Sequence, residues 1–235
     1  MLLVLISFMF LSSFIAKPKL YDVFFAEKIS AHMVTKTLKH GLSTTITADV
    51  FYLSDGKMVT HFINPKEFIL FQNGLGELKM YDPLANSVMI DQNPVYSSES
   101  SNFYYFFSTD GNNLGLKKMG FTNTSTRFED GLMITVWTGP ASVAKELTSV
   151  ELAFEGTKPI YLGYQDRNFK TVKKIFFYDF LKVGGIDFPA SITEINYVTE
   201  NDSIISKTTY SDFKVDDQVD LKYINYKIPD NANAE

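Results

Sequence analysis

The chain predicts a mainly β fold, an antiparallel meander of roughly a dozen strands with one helical interruption. Segments rich in Val, Ile, Thr and aromatics alternate with period two along most of the length, and Gly, Pro, Asn and Asp break them at short intervals. Phe and Tyr are abundant, at 21 and 13 of 235 residues against a single Trp, and such side chains favour a pleated, half-buried surface. With 45% hydrophobic and 21% charged residues, the chain has enough apolar material to build a core. It shows no internal repeat and no linker, so one domain over residues 17–235 is predicted.

The N-terminal stretch MLLVLISFMFLSSFIA is apolar from Leu2 to Phe10, then small and polar at Ser12 and Ser13, with Ala16 before Lys17. That pattern predicts a signal peptide over residues 1–16 and export, because the run falls short of the ~20 residues that span a bilayer. Leu20, Val23, Phe24 and Ala26 follow at near-helical spacing, predicting a short amphipathic helix from about Lys19 to Ile29.

Beyond it the period is two. SAHMVTKTL, TTITADVFYL, KMVTHFI, EFILF, ELKMY and SVMI are separated by His40-Gly41, Ser54-Asp55-Gly56, Asn64-Pro65, Asn73-Gly74 and Asp82-Pro83, which is turn chemistry. The interval SSESSNFYYFFSTDGNN breaks the rhythm: serines suited to an N-cap precede Phe103, Phe106 and Phe107 at helical spacing, predicting a short helix. NLGLKKMGF is expected to add another helical turn. Strands resume with TSTRFED and run through SIISKTTYSDFKV, before a tail containing Pro229.

The composition narrows the chemistry. Formal net charge is -5 and no Lys/Arg run interleaves with the aromatics, so a nucleic-acid partner has no electrostatic footprint. Absent cysteine removes disulfides, thiolate nucleophiles and Cys-ligated zinc. None of His32, His40 and His61 has a second His or a carboxylate at metal-binding spacing. There is no G-x-S-x-G, and NGLGE offers a bare G-x-G between strands where a phosphate cradle needs a helix. Asp49, Glu194 and Asp212 could pair across strands. The chain is therefore read as a non-enzyme without cofactor.

What remains is apolar surface. A turn centred on Gly74-Leu75 predicts pairs of Gln72 with Glu77, Phe71 with Leu78, Leu70 with Lys79 and Ile69 with Met80, which places Ile69, Phe71, Leu78 and Met80 on one face. Met58 and Phe62 lie at the same parity on the preceding strand, though pairing across Ser54-Asp55-Gly56 sets Asp49 opposite Phe62. Such a face suits either an ordinary packed core or an adaptable surface for flexible chains.

The order of elements resembles the periplasmic outer-membrane lipoprotein carrier family, the LolA-like proteins. The resemblance rests on NPKEFILFQNGLGELKMYDPLANSV, residues 64–88, on the aromatic helical insertion, and on the closing ISKTTYSDFKVDDQVDLKYINYKIPDNA. It spans about residues 20 to 232. It implies an incomplete antiparallel β-barrel of about 11–12 strands, with short helices forming a lid over a concave apolar face that binds acyl chains of lipoproteins in transit between membranes. By position, Ile69, Phe71, Leu78 and Met80 would line the cavity with Met58 and Phe62, and Phe103, Phe106 and Phe107 would sit on the lid. Implied partners are lipoprotein or other lipid acyl chains, an inner-membrane donor complex and an outer-membrane acceptor, with the protein monomeric. Where the family carries an Arg-Pro pair after its second strand, this chain reads FYLSDG.

On this reading Met80→Glu weakens acyl-chain binding more than Lys79→Glu. A fluorescent fatty-acid titration of both variants measures it, and equal losses would refute the assignment of the two residues to opposite faces.

Overall fold

The computed structural model describes residues 26–107, 113–141, 147–199 and 202–234. The signal peptide over 1–16, and the expected helix up to about residue 25, lie outside the described residues. The end of that helix is corrected: Lys28 and Ile29 open the first strand, where Ile29 pairs with Tyr52 and Val215.

Among the described residues fourteen strands form one sheet. The first meander comprises β1 (Lys28–Lys39), β2 (Leu42–Leu53), β3 (Met58–Asn64), β4 (Phe68–Gln72), β5 (Glu77–Asp82) and β6 (Ser87–Gln92). A helix, α1 (Asn102–Phe107), separates it from the second: β7 (Thr122–Glu129), β8 (Leu132–Thr138), β9 (Ser149–Glu155), β10 (Lys158–Gln165), β11 (Thr171–Val183), β12 (Ile186–Thr199) and β13 (Asp202–Val215). The last described strand is β14 (Asn233–Ala234), which pairs parallel with β6. The two meanders meet at β1 and β13, so the order is β14-β6-β5-β4-β3-β2-β1-β13-β12-β11-β10-β9-β8-β7. The sheet stays open, with β7 and β14 at its ends. The count exceeds the expected 11–12 partly because a two-residue strand such as β14 is too short to show a period.

Hairpin chemistry joins most neighbours. His40 and Gly41 have φ of 49° and 75°, the left-handed pair that matches strand twist in a two-residue turn. α1 forms where the aromatic spacing predicts it, and Ser101 Oγ accepts a hydrogen bond from the Tyr104 amide at 3.2 Å, a conventional N-cap. NLGLKKMGF does not become helix. Residues 113–120 make successive turns, and Leu114 and Leu116 are buried.

The β4–β5 hairpin slips one residue from the expected register. Ile69 pairs with Tyr81, Leu70 with Met80, Phe71 with Lys79 and Gln72 with Leu78. Asn73 causes the shift: its Oδ1 accepts from the amides of Leu75 and Glu77 at 2.9 and 3.1 Å, and Gly76 takes a φ of 79°, lengthening the loop. A slip of one moves every side chain of a strand to the other face relative to its partner. The β2–β3 pairing also differs by one, with Asp49 opposite His61 and Ala48 opposite Phe62.

The result is a sheet with two apolar faces. On the inner face Val50, Tyr52, Leu152, Leu162, Phe177, Phe188 and Tyr210 pack beneath Phe103, Leu114, Leu116 and Phe121. On the outer face Phe51, Val59, Ile69, Tyr81 and Val88 are covered by the C-terminal segment through Val219, Ile224, Tyr223 and Tyr226. Elsewhere on the outer face aromatics are shielded by lysines, with Lys207 Nζ 5.4 Å from the Tyr178 ring and Lys174 Nζ 5.7 Å from Tyr197, so stems cover rings while the charges reach water.

Ile224→Ala, at a buried position, is expected to lower unfolding free energy by about 2–5 kcal/mol. Leu84→Ala, at a side chain 81% exposed, should change it by no more than about 0.5 kcal/mol. Urea unfolding of both variants checks the contrast.

Candidate functional site

The candidate site lies on the inner face, where a strap over residues 93–101 leads into α1. The strap is two single-turn 3-10 segments, Pro94–Tyr96 and Ser98–Ser100. Asn93 Oδ1 caps the first by accepting from the Val95 amide at 3.0 Å, and Ser97 Oγ caps the second from the Glu99 amide at 3.2 Å. Asn and Ser recur here because short polar side chains bond nearby backbone better than they support a strand.

Hydrogen bonds fasten the strap to the tips of two hairpins. The Asn93 amide donates to Gly76 O at 3.0 Å and the Ser98 amide to Asn73 O at 3.1 Å. Gln72 Nε2 donates to Tyr96 O at 2.9 Å, Ser97 Oγ to Gly74 O at 2.9 Å, and the buried Ser98 Oγ to Gly56 O at 2.5 Å. Gly76 is required, since a Cβ there would run into the Asn93 carbonyl. FYLSDG, the segment without an Arg-Pro pair, thus contributes the Gly56 carbonyl, an uncharged fastening. Lys118 adds an ion pair to Glu99 and a 3.2 Å hydrogen bond to Tyr104 OH.

Beneath the strap the lid aromatics meet the sheet. Phe188 is the hub, with its ring centroid 5.2 Å from Phe103, 5.5 Å from Phe106 and 5.2 Å from Phe107. Phe106 also reaches Phe177, and Phe103 reaches Tyr210, each at 5.5 Å. Rings at these separations attract beyond their buried area, so this half of the inner face is filled by the protein's own side chains. Space remains beside it. A groove of about 240 Å³ runs along β1–β4, lined by Met33, Met58, Phe62, Leu70, Phe103 and Tyr210.

Met58, Phe62 and Phe103 therefore border the groove. Phe106 and Phe107 lie on the lid but pack against the filled half. Leu78 and Met80 share the inner side with Gln72 and Leu70 through their cross-strand pairing. The expected common face is corrected for Ile69 and Phe71, which point outward under the C-terminal segment, because Asn73 and Gly76 shift the register. Phe71 instead borders an outer hollow of about 610 Å³ with Lys79 and Tyr226. Sequence reasoning missed Met33, Leu70 and Tyr210. Met33 was within reach, since SAHMVTKTL reads as a strand, but its strand's neighbours are set by the β1–β13 seam.

The polar groups organise differently. Each histidine meets a carboxylate: His32 Nδ1 lies 2.7 Å from Asp49, His40 Nδ1 3.3 Å from Asp202 and His61 Nε2 3.0 Å from Glu67. Asp49 and Asp212 border one outer hollow of about 220 Å³, while Glu194 is on the inner face in an ion pair with Lys173 at 3.0 Å. The three carboxylates do not converge. Among the described residues no group of three or more His, Cys, Asp or Glu could hold a metal ion, and no helix is long and apolar enough to cross a membrane.

No protein-family profile matches the chain, and no curated protein matches it either. Solved structures do. A DUF1329 family protein from Desulfovibrio piger superposes with a TM-score of 0.58 at 15% identity, covering 87% of this chain and 92% of its own. A LolA superfamily protein from Nitrosomonas europaea gives 0.57 at 12%, covering 84% and 90%. A Vibrio parahaemolyticus domain described as an outer membrane lipoprotein-sorting protein gives 0.57 at 14%, covering 84% and 89%. The fold is LolA-like.

Tyrosines surround the lid, and burial shifts them. It pushes the Tyr52 phenol from 10.0 up to about 12, with Tyr104 and Glu99 adding to the rise. Burial also raises Tyr105, Tyr164 and Tyr210. A raised folded-state value favours the neutral phenol, so the stability it contributes is complete below pH 10 and is lost as pH climbs through about 12. Tyrosinate absorbance is expected to rise in two stages, exposed phenols first and the buried phenols beneath the lid later, together with loss of near-ultraviolet dichroism. A single transition at the ordinary phenol value would contradict it.

Proposed function

We propose that this protein binds acyl chains in the groove between the β1–β4 floor and α1, and carries them between membranes outside the cytoplasm. The observation that carries the reading is an apolar groove bordered by Met33, Met58 and Leu70 beside a lid that is fastened by hydrogen bonds. Methionines suit a site that accommodates flexible chains. The fastenings to the hairpin tips are neutral and suit a lid that opens, because each such bond contributes about 0.5–1.5 kcal/mol net.

The energetics fit exchange. Burying a methylene is worth about 0.8 kcal/mol against water, but a bilayer offers the same apolar surroundings, so transfer between protein and membrane runs near balance. Direction then comes from partners that bind the open or the closed lid differently. The finer reading is a periplasmic shuttle that takes lipoproteins from an inner-membrane donor complex to an outer-membrane acceptor, acting as a monomeric, non-enzymatic chaperone exported by its N-terminal signal peptide. The likeness in fold to a protein described as lipoprotein-sorting supports this reading.

The groove volume favours a second reading. At about 240 Å³ it falls below the ~300–1,000 Å³ of ordinary ligand pockets, so it suits one chain while the lid stays in place. A lipoprotein with several chains needs α1 displaced. A module of the same fold holding a single-chain lipid or other hydrophobic ligand needs no such movement.

Native mass spectrometry of protein purified from an extracytoplasmic fraction distinguishes an acylated polypeptide from a small lipid. Leu70→Glu and Met58→Glu are expected to weaken binding of a fluorescent fatty acid at least tenfold. Ile90→Glu, on the outer face and 62% exposed, should leave it unchanged. Undiminished binding in both groove variants would sink the proposal.

A further inference from the structure

The strands that floor the groove run on past it. Its floor at Met33 and Tyr210, a cross-strand pair, continues along β1 and β13 with the same facing. Two residues on, Thr35 opposes Thr208, and four residues on, Thr37 opposes Ser206. A strand rises ~3.4 Å per residue, so these pairs lie about 7 and 14 Å beyond the Met33–Tyr210 step. Here the inner face changes character. Thr35 Oγ1 and Thr208 Oγ1 are hydrogen-bonded at 2.9 Å, and Thr37 Oγ1 and Ser206 Oγ at 3.0 Å. All four side chains are half-buried.

Two hydroxyls joined by one hydrogen bond hold two O–H groups and four lone pairs. Their mutual bond uses one donor and one lone pair, so each couple keeps a donor and three acceptor sites for a third group. Across β12 and β11 the strip continues with Glu194, Asn196 and Lys173. Lys173 Nζ is 3.0 Å from Glu194 Oε2, and Asn196 Nδ2 donates to Glu194 Oε1 at 2.7 Å. The ammonium also sits 5.9 Å from the Tyr164 ring centroid. This ion pair is balanced, and both partners already hold each other.

We infer that this strip is a headgroup subsite, and that the ligand is a single-chain amphiphile with an uncharged, hydroxylated head of the monoacylglycerol type. The inference rests on the acyl-chain reading of the groove and names its ligand class. The chain end lies between Met58, Phe62 and Leu70. The ester lies near Met33 and Tyr210, and the glyceryl hydroxyls exchange hydrogen bonds with the Thr35–Thr208 and Thr37–Ser206 couples. A carboxylate or phosphate head is disfavoured: Glu194 repels it, and Lys173 would have to leave its partner. The hydroxyl couples give up little to receive a neutral head, because each has capacity its internal bond leaves over.

Three probes of equal chain length test this by isothermal titration: a monoacylglycerol, the corresponding fatty-acid methyl ester and the free fatty acid at neutral pH. The methyl ester reports the groove, and its difference from the glyceryl ester reports the subsite. The monoacylglycerol is expected to bind about tenfold tighter than the methyl ester, as two net hydrogen bonds provide, with the fatty acid weakest. In the double variant Thr35→Val and Thr208→Val that advantage should fall to about threefold, one of the two net hydrogen bonds being lost, while methyl-ester binding holds, since replacing both partners by groups of the same shape is nearly neutral for the fold. Equal binding of the two esters by the unaltered protein, or an advantage undiminished in the double variant, overturns the subsite and leaves the groove standing. Failure of every probe to bind overturns both.

Discussion

An open antiparallel sheet that is apolar on both faces cannot stand in water, and much of this molecule follows from that constraint. Over β2–β6 the inner face carries Val50, Tyr52 and Met58 and the outer face Phe51, Val59 and Ile69. Two separate stretches of chain supply the covers. α1 and the turns after it close part of the inner side, while the segment after β13 closes the outer side and ends as β14 against β6. Removing apolar area from water is the dominant favourable term in folding, so the positions of both covers are as much a part of the fold as the strands themselves.

The two covers differ in how they are attached. The outer one is held by buried Val219 and Ile224 and by stacked rings, such as Tyr223 over His61 at 4.2 Å. The inner one is split. α1 is anchored by aromatic contacts around Phe188, whereas the strap ahead of it touches the hairpin tips through backbone carbonyls of Gly56, Asn73 and Gly74. Individually modest hydrogen bonds hold the strap next to the unfilled groove, and the stronger packing lies on the far side of it.

The inner face also grades along its strands. Moving down β1 and β13, the cross-strand pairs pass from Met33 with Tyr210 to Thr35 with Thr208 and Thr37 with Ser206. An amphiphile presents the same sequence of surfaces, tail before head. The gradient arises from choices at alternate positions of two strands that lie far apart in the chain, joined only at the seam between the meanders.

How much of this was legible in the residues depends on range. The mainly β class, most strands and turns, and α1 with its Ser101 cap were read from period and turn chemistry, because alternation and capping are set by neighbours within a few positions. The LolA-like order of elements was visible for the same reason. Which face each strand presents was not, since one extra loop residue reverses it: Asn73 and Gly76 sent Ile69 and Phe71 outward against expectation. Nor could local pattern reveal the β1–β13 seam, the parallel β14, or the filling of half the inner face by Phe188 and the lid rings. Those depend on contacts between residues separated by most of the chain, and tertiary packing alone decides them.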